Sequence, residues 1–100
     1  MMNQVVLVGR IVEEPTIEKL DEKETATITL AVNRAYKNEE GFYDTDFISC
    51  ILWNSVATNV VEYCKKGDIV GVKGRLQSKD NELQVIADRV TFLSSKKNEE

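Results

Sequence analysis

A chain of 100 residues, 42% of them hydrophobic, is long enough for one domain with a single modest core, and internal repeats or a second domain are not expected at this length. It holds no histidine, and Cys50 and Cys64 lie fourteen positions apart, which excludes zinc-ligand spacing and histidine general-base chemistry and reads as two buried, reduced thiols. The formal net charge of −4 speaks against a polyanionic partner only as a sum, because six acids against two lysines in residues 13–24 face five cations against one acid, Asp68, in residues 65–79.

The first strand is expected over Val5 to Val12, rich in β-branched residues and stopped by Glu13, Glu14 and Pro15. Its Gly9 marks a bend or bulge, as the first strand of a small closed barrel requires, and Arg10 follows as a solvated residue or a phosphate contact. Val5 to Val8 is the longest apolar run, far short of a membrane span, and Met1 to Gln4 lacks the cationic start of a signal segment, so a cytoplasmic location is expected. Asp21 to Glu24 reads as a charged surface connection.

From Thr25 to Arg34 the alternation is regular, with Ala26, Ile28, Leu30 and Val32 on one face and Thr25, Thr27, Thr29, Ala31 and Asn33 on the other. That is a half-buried second strand. Asn38, Glu39, Glu40 and Gly41 then give a turn, making a hairpin with a long tip between Arg34 and Thr45. Three aromatics lie in or beside the tip: Tyr36, near Arg34 and Lys37, is a candidate contact, and Phe42 and Tyr43 are expected to serve in packing or an interface.

The third strand, Asp46 to Trp53, is the most informative stretch. Ile48, Cys50 and Leu52 share one face and suit a core, whereas Phe47, Ser49, Ile51 and Trp53 share the other. A small domain cannot bury both faces in itself, so the face with two large aromatics needs another cover, and nucleic-acid bases fit. After Trp53 the period changes. Ala57, Val60, Val61 and Cys64 fall at helical spacing, Asn54 or Ser55 can cap the start, Lys65 and Lys66 suit the negative end of the helix dipole, and Gly67 is a natural stop.

The fourth strand, Asp68 to Gln77, turns Val70, Val72, Gly74 and Leu76 to one side and Lys73 and Arg75 to the other, where two cations two residues apart can track a phosphate chain. Gly71 and Gly74 would let a ligand or another backbone approach closely. A short turn over Ser78 to Asn81 carries Lys79, a fifth strand covers Leu83 to Leu93, and residues 95–100 are expected to form a disordered charged tail after a domain spanning residues 1–94.

Three strands, a helix and two strands match an all-β OB-fold, a five-stranded Greek-key barrel with one short helix between strands 3 and 4, whose faces and loops bind oligonucleotides or oligosaccharides. Phe47 and Trp53 are about 20 Å apart along a strand, enough to stack different nucleotides. The neighbouring groups are a serine, an isoleucine and cations rather than the carboxylates and amides common beside bound sugars.

Five segments in order, NQVVLVGR (3–10), ATITLAVNR (26–34), DFISCILW (46–53), the set Ala57, Asn59, Val60, Lys65, Lys66 and Gly67 ahead of GVKGRLQ (71–77), and Ala87, Asp88, Phe92 and Leu93, resemble the bacterial single-stranded-DNA-binding protein family over nearly the whole chain. The resemblance implies sequence-independent binding and protection of single-stranded DNA in replication, recombination or repair. It implies a cytoplasmic protein that is not an enzyme and needs no cofactor, metal or small-molecule substrate, usually a homotetramer, with a dimer as the alternative. The family's stacking aromatics fall on Tyr36, Phe47 and Trp53, and Arg10, Arg34, Lys73 and Arg75 would line the backbone path, with Ser49 and Lys79 beside them. This chain departs from the pattern in a tight connection between the fourth and fifth strands, from Gln77 to Leu83, and in stopping at Glu100 without the acidic tip that members carry at their C-terminus, as either a trimmed sequence or a short variant would. A smaller footprint per subunit is therefore expected. The competing expectations are a primosome-type accessory OB protein and an OB module acting only in protein assembly, with Phe47 and Trp53 in a subunit interface.

Overall fold

Residues 1–94 are described by the computed structural model, and the expected tail at residues 95–100 lies outside the described residues. The elements run β1 (Val5–Ile11), β2 (Glu18–Leu20), β3 (Lys23–Lys37), β4 (Tyr43–Trp53), α1 (Asn54–Tyr63), β5 (Ile69–Lys79) and β6 (Glu82–Ser94). Their order in the sheet is β1-β5-β6-β4-β3-β2, and a further pairing of β1 with β3 closes five of them into a barrel. β4 and β6 run parallel while the other neighbours are antiparallel. That is the expected OB-fold, with α1 between the third and fourth barrel strands.

Period-two alternation decides which side chains fill the barrel. Ala26, Ile28 and Leu30 of β3, Cys50 and Leu52 of β4, Val70 and Val72 of β5 and Val85 and Ala87 of β6 form the core, and Ala57, Val60 and Cys64 of α1 pack against it. Both cysteines are free and buried. Desolvation pushes the Cys50 thiol up to about 11, so it stays protonated as a small apolar side chain.

Two glycines are required by close approach of the barrel's own strands. A Cβ on Gly9 would stand 2.9 Å from the Ala31 carbonyl oxygen and from Val32 Cγ2, where β1 crosses onto β3. On Gly74 it would overlap the Ile86 carbonyl oxygen of β6. The close neighbour that Gly74 admits is thus the adjacent strand, not a ligand.

The structure differs from the sequence expectation at several joints. The segment read as a surface connection instead holds the tight turn of a β2–β3 hairpin, in which Leu20 pairs with Lys23 around Asp21 and Glu22, both with positive φ. The long hairpin tip shortens to residues 38–42. There the Asn38 side-chain oxygen accepts hydrogen bonds from the backbone N–H groups of Glu40 and Phe42, at 2.8 and 3.0 Å, and so closes the turn. Neither Asn54 nor Ser55 caps α1: Trp53 occupies the cap position, extended and with no side-chain cap bond, and Asn54 has φ 54°. The helix ends at Tyr63, before Lys65, Lys66 and Gly67 can act on its last turn. β5 and β6 meet in a two-residue turn, Asp80 and Asn81, both at positive φ, the geometry that matches the twist of a hairpin.

Candidate nucleic-acid interface

The outer face of β4 carries Phe47, Ser49, Ile51 and Trp53, each opposite a small residue of β3: Ala31, Thr29, Thr27 and Thr25 in that order. Small partners leave the ring faces uncovered. Phe47 is 67% exposed, and Trp53 is half-buried at the point where the strand turns into α1. An exposed aromatic on a rigid central strand forfeits burial in the free protein and presents a flat apolar surface to a planar ligand.

Two grooves flank this face. One, of about 410 Å³, is lined by Phe47 and Ser49 of β4 together with Leu76 of β5 and Leu83 and Gln84 of β6. The other, of about 390 Å³, brings Trp53 and Ile51 together with Lys79, Gln77, Gln84 and Ile86. The structure thus brings Phe47 together with Ser49 and Trp53 together with Lys79. It adds Leu76, Leu83, Gln84 and Ile86. Leu83 is 70% exposed although period two gives it the same side as Val85 and Ala87, because it stands at the turn end of β6; its signal in the sequence was a leucine directly after a polar turn.

Tyr36 stands 68% exposed on the arm formed by the ends of β3 and β4, within the irregular stretch between Asn33 and Lys37. Phe42 and Tyr43 are also exposed, so of the two roles expected for them, packing or an interface, the structure does not bear out packing into the core of their own chain. They lie at the tip of the arm, outside the barrel core. The Lys37 ammonium lies 5.8 Å from the centroid of the Tyr43 ring, a cation–π contact at the base of the tip.

The three arginines expected along the backbone path are already engaged. Arg34 donates to both carboxylate oxygens of Asp46 and approaches Asp44 at 3.7 Å. Arg75 donates to Asp88 at 2.7 Å. Arg10 donates to the Gly67 carbonyl oxygen at 2.8 Å and ties β1 to the turn before β5. A phosphate reaching Arg34 or Arg75 must displace a carboxylate. Lys73 and Lys79 are exposed, and neither takes part in an ion pair among the described residues. These features together offer stacking faces, cationic margins and hydroxyl-rich walls along β3. Among the described residues there is no cluster of three or more potential metal ligands, and no helix is long and apolar enough to cross a membrane.

Comparison with known proteins gives the same direction. A model of the single-strand binding protein family matches residues 2–93. The single-stranded DNA-binding protein 3 of Listeria innocua is 42% identical, over 98% of this chain and 68% of that protein. The single-stranded DNA-binding protein of Bacillus cereus is 44% identical, over 93% of this chain and 61% of its own length. The single-stranded DNA-binding protein B of Bacillus subtilis is 39% identical, over 99% of this chain and 96% of that protein. The chain thus spans about two thirds of two of these relatives and nearly all of the third. With a family model matched from end to end of the barrel and relatives near 40% identity, the chain belongs to the single-strand binding protein family.

Proposed function

We propose that this chain binds and protects single-stranded DNA without regard to base sequence, in replication, recombination or repair, by stacking bases on Phe47, Trp53 and Tyr36 and holding phosphates with cations at the margins. The observation that carries the reading is the outer face of β4, where an exposed Phe47 and a half-buried Trp53 share one strand with Ser49 and Ile51 and open onto grooves on either side. Every base has a π face, so stacking is indifferent to sequence, and each stacked base contributes about 1–3 kcal/mol, a figure established on OB-folds of this class. Lys73 and Lys79 are poised for phosphates, and Arg34, Arg75 and Arg10 follow once their present partners yield. The protein works by mass action. Binding only the unpaired strand draws hairpins and breathing duplex open with no bond made or broken, so it is not an enzyme.

The protein acts as a homo-oligomer in the cytoplasm, as a tetramer or a dimer. The support is an edge of β1. Only Arg10 and Ile11 pair with β3, so the side of Val5–Val8 away from β5 has no strand beside it, and Val6 and Val8 are exposed there. With Asp80 and Asn81 alone joining β5 to β6, each subunit covers a short stretch of strand. The accessory and assembly-only readings find no observation that favours them over stacking.

Trp53 is the only tryptophan, so its fluorescence reports the face directly. Titration with oligothymidine should quench it, and higher salt should weaken the complex with a slope near −0.7 per phosphate neutralised. Unquenched fluorescence together with no complex on a native gel would refute the reading. Sedimentation fixes the oligomeric state.

A further inference from the structure

The row of outward-facing side chains on β4 does not stop at Phe47. Alternate residues of a strand share a face, so Tyr43 and Thr45 stand on the side that carries Phe47, Ser49, Ile51 and Trp53. The side-chain contacts of the arm agree. On this side Thr45 donates to the Asn33 side-chain oxygen at 2.7 Å, and Lys37, the register partner of Tyr43, lies over its ring. On the other side Arg34 holds Asp46 and approaches Asp44, and the Asn38 amide donates to Asp44 at 3.1 Å. Each of these contacts joins odd positions with odd or even with even, so the arm keeps two distinct sides through its irregular stretch. The acids Asp44 and Asp46 lie on one, and Tyr43 and Lys37 lie on the other.

Tyr43 is 54% exposed and lies outside the core. It is four residues from Phe47, about 13 Å along the strand, which is room for a separate base. The Lys37 ammonium, 5.8 Å from the ring centroid, belongs to an exposed residue that makes no ion pair among the described residues. An exposed ring with a free cation beside it offers a partner to both halves of a nucleotide, a π face for the base and an ammonium for the phosphate. We infer that Tyr43 and Lys37 form a nucleotide subsite that prolongs the β4 row onto the arm, with a base stacked on Tyr43 and the adjoining phosphate on Lys37. Tyr43 is thereby a DNA contact, where its place in the sequence suggested packing or a protein interface. The inference rests on the single-strand-binding reading and lengthens the stretch of strand that each subunit covers.

The test uses the full chain and an oligothymidine long enough to run from Trp53 to the arm, titrated by gel shift and by Trp53 fluorescence at several salt concentrations. Tyr43→Ala should weaken binding about 5- to 150-fold, the equivalent of one lost stack, with the salt slope unchanged. Tyr43→Phe keeps a ring and should bind as the parent does. Lys37→Gln should weaken binding and reduce the slope by about 0.7, the value of one phosphate contact on a single strand. Phe42→Ala removes an equally exposed ring that belongs to the turn and not to the β4 row, and should change nothing. Without DNA all four variants should sediment like the parent. The subsite is refuted, while the stacking face stands, if the parent binds and Tyr43→Ala binds equally well, or if Phe42→Ala loses as much as Tyr43→Ala. It is refuted as well if Tyr43→Ala falls to a lower oligomeric state without DNA, which would make the ring a contact between copies of the chain. A parent chain that binds no oligothymidine overturns both readings.

Discussion

Arg34 of β3 holds Asp46 of β4 through both carboxylate oxygens, with its Nη2 atom 2.8 Å from Oδ1 and its Nε atom 3.2 Å from each oxygen. The residues are twelve apart in sequence, and the pair clamps the two strands where they leave the barrel as an arm. Asp46 immediately precedes Phe47, so the clamp lies on the opposite side of the ribbon from the stacking face. The hydrogen bond from Arg34 and its positive charge hold the Asp46 carboxyl below the ordinary carboxylate range. A depressed folded value means that the clamp's stabilisation is complete above the unfolded value of about 4 and fades as pH falls through the folded one. Urea unfolding of the parent and Asp46→Asn should therefore show a constant gap from pH 7 down to about 4. The gap should close below that, and because the pair is exposed it should be small throughout.

The two aromatics of β4 should respond differently to truncation. Phe47 is largely exposed and faces Ala31, so Phe47→Ala should leave the melting temperature unchanged and remove about 1–3 kcal/mol of oligothymidine binding. Trp53 is half-buried, so Trp53→Ala should lower stability as well as binding. Trp53→Phe keeps a ring in place and should recover most of the stability while retaining part of the affinity. Thermal melts beside binding isotherms followed by gel shift, which does not depend on the tryptophan, separate the two effects.

Gly74 and Gly71 lie three residues apart on β5, yet their substitution by alanine should have opposite signs. A Cβ on Gly74 would collide with the Ile86 carbonyl oxygen beside the bulge at Asp88, and Gly74→Ala should destabilise by about 1–3 kcal/mol or more as the strands are forced apart. On Gly71 it would meet Leu93 Cδ1 at 3.6 Å, an ordinary contact, with the backbone in a region open to any residue. Gly71→Ala should thus stabilise by about 0.4–1 kcal/mol through the unfolded chain. Urea midpoints with unchanged m-values would establish both.

Alternation carried most of the barrel. Ile28 and Leu30, or Cys50 and Leu52, announce their face by spacing alone, and once Cys50 is inside, Phe47 and Trp53 must be outside. What spacing does not carry is register across strands. Arg34 meets Asp46 only because Asn38 closes a tip of defined length, and Lys73 meets Arg89 only because Asp88 is bulged out between them. The β2–β3 hairpin escaped notice for a chemical reason: its turn is Asp21-Glu22, without the glycine or asparagine that normally marks two consecutive residues of positive φ. Arg10 was ambiguous in the sequence and remains available to phosphate only by giving up the Gly67 carbonyl.

That unusual turn supplies a last prediction. Glu22 has φ 69° in a two-residue connection between Leu20 and Lys23, following Asp21 at φ 53°. Aspartate tolerates the left-handed region because its short side chain bonds locally, whereas glutamate meets the Cβ penalty of about 1–2 kcal/mol with no such compensation. Glycine removes the penalty and loses part of the gain to its larger entropy in the unfolded chain. Glu22→Gly should therefore stabilise the protein by about 1 kcal/mol, and Glu22→Ala, which keeps the Cβ, should not. A urea melt in which glycine and alanine behave alike would show that the gain comes from the charge and not from the backbone.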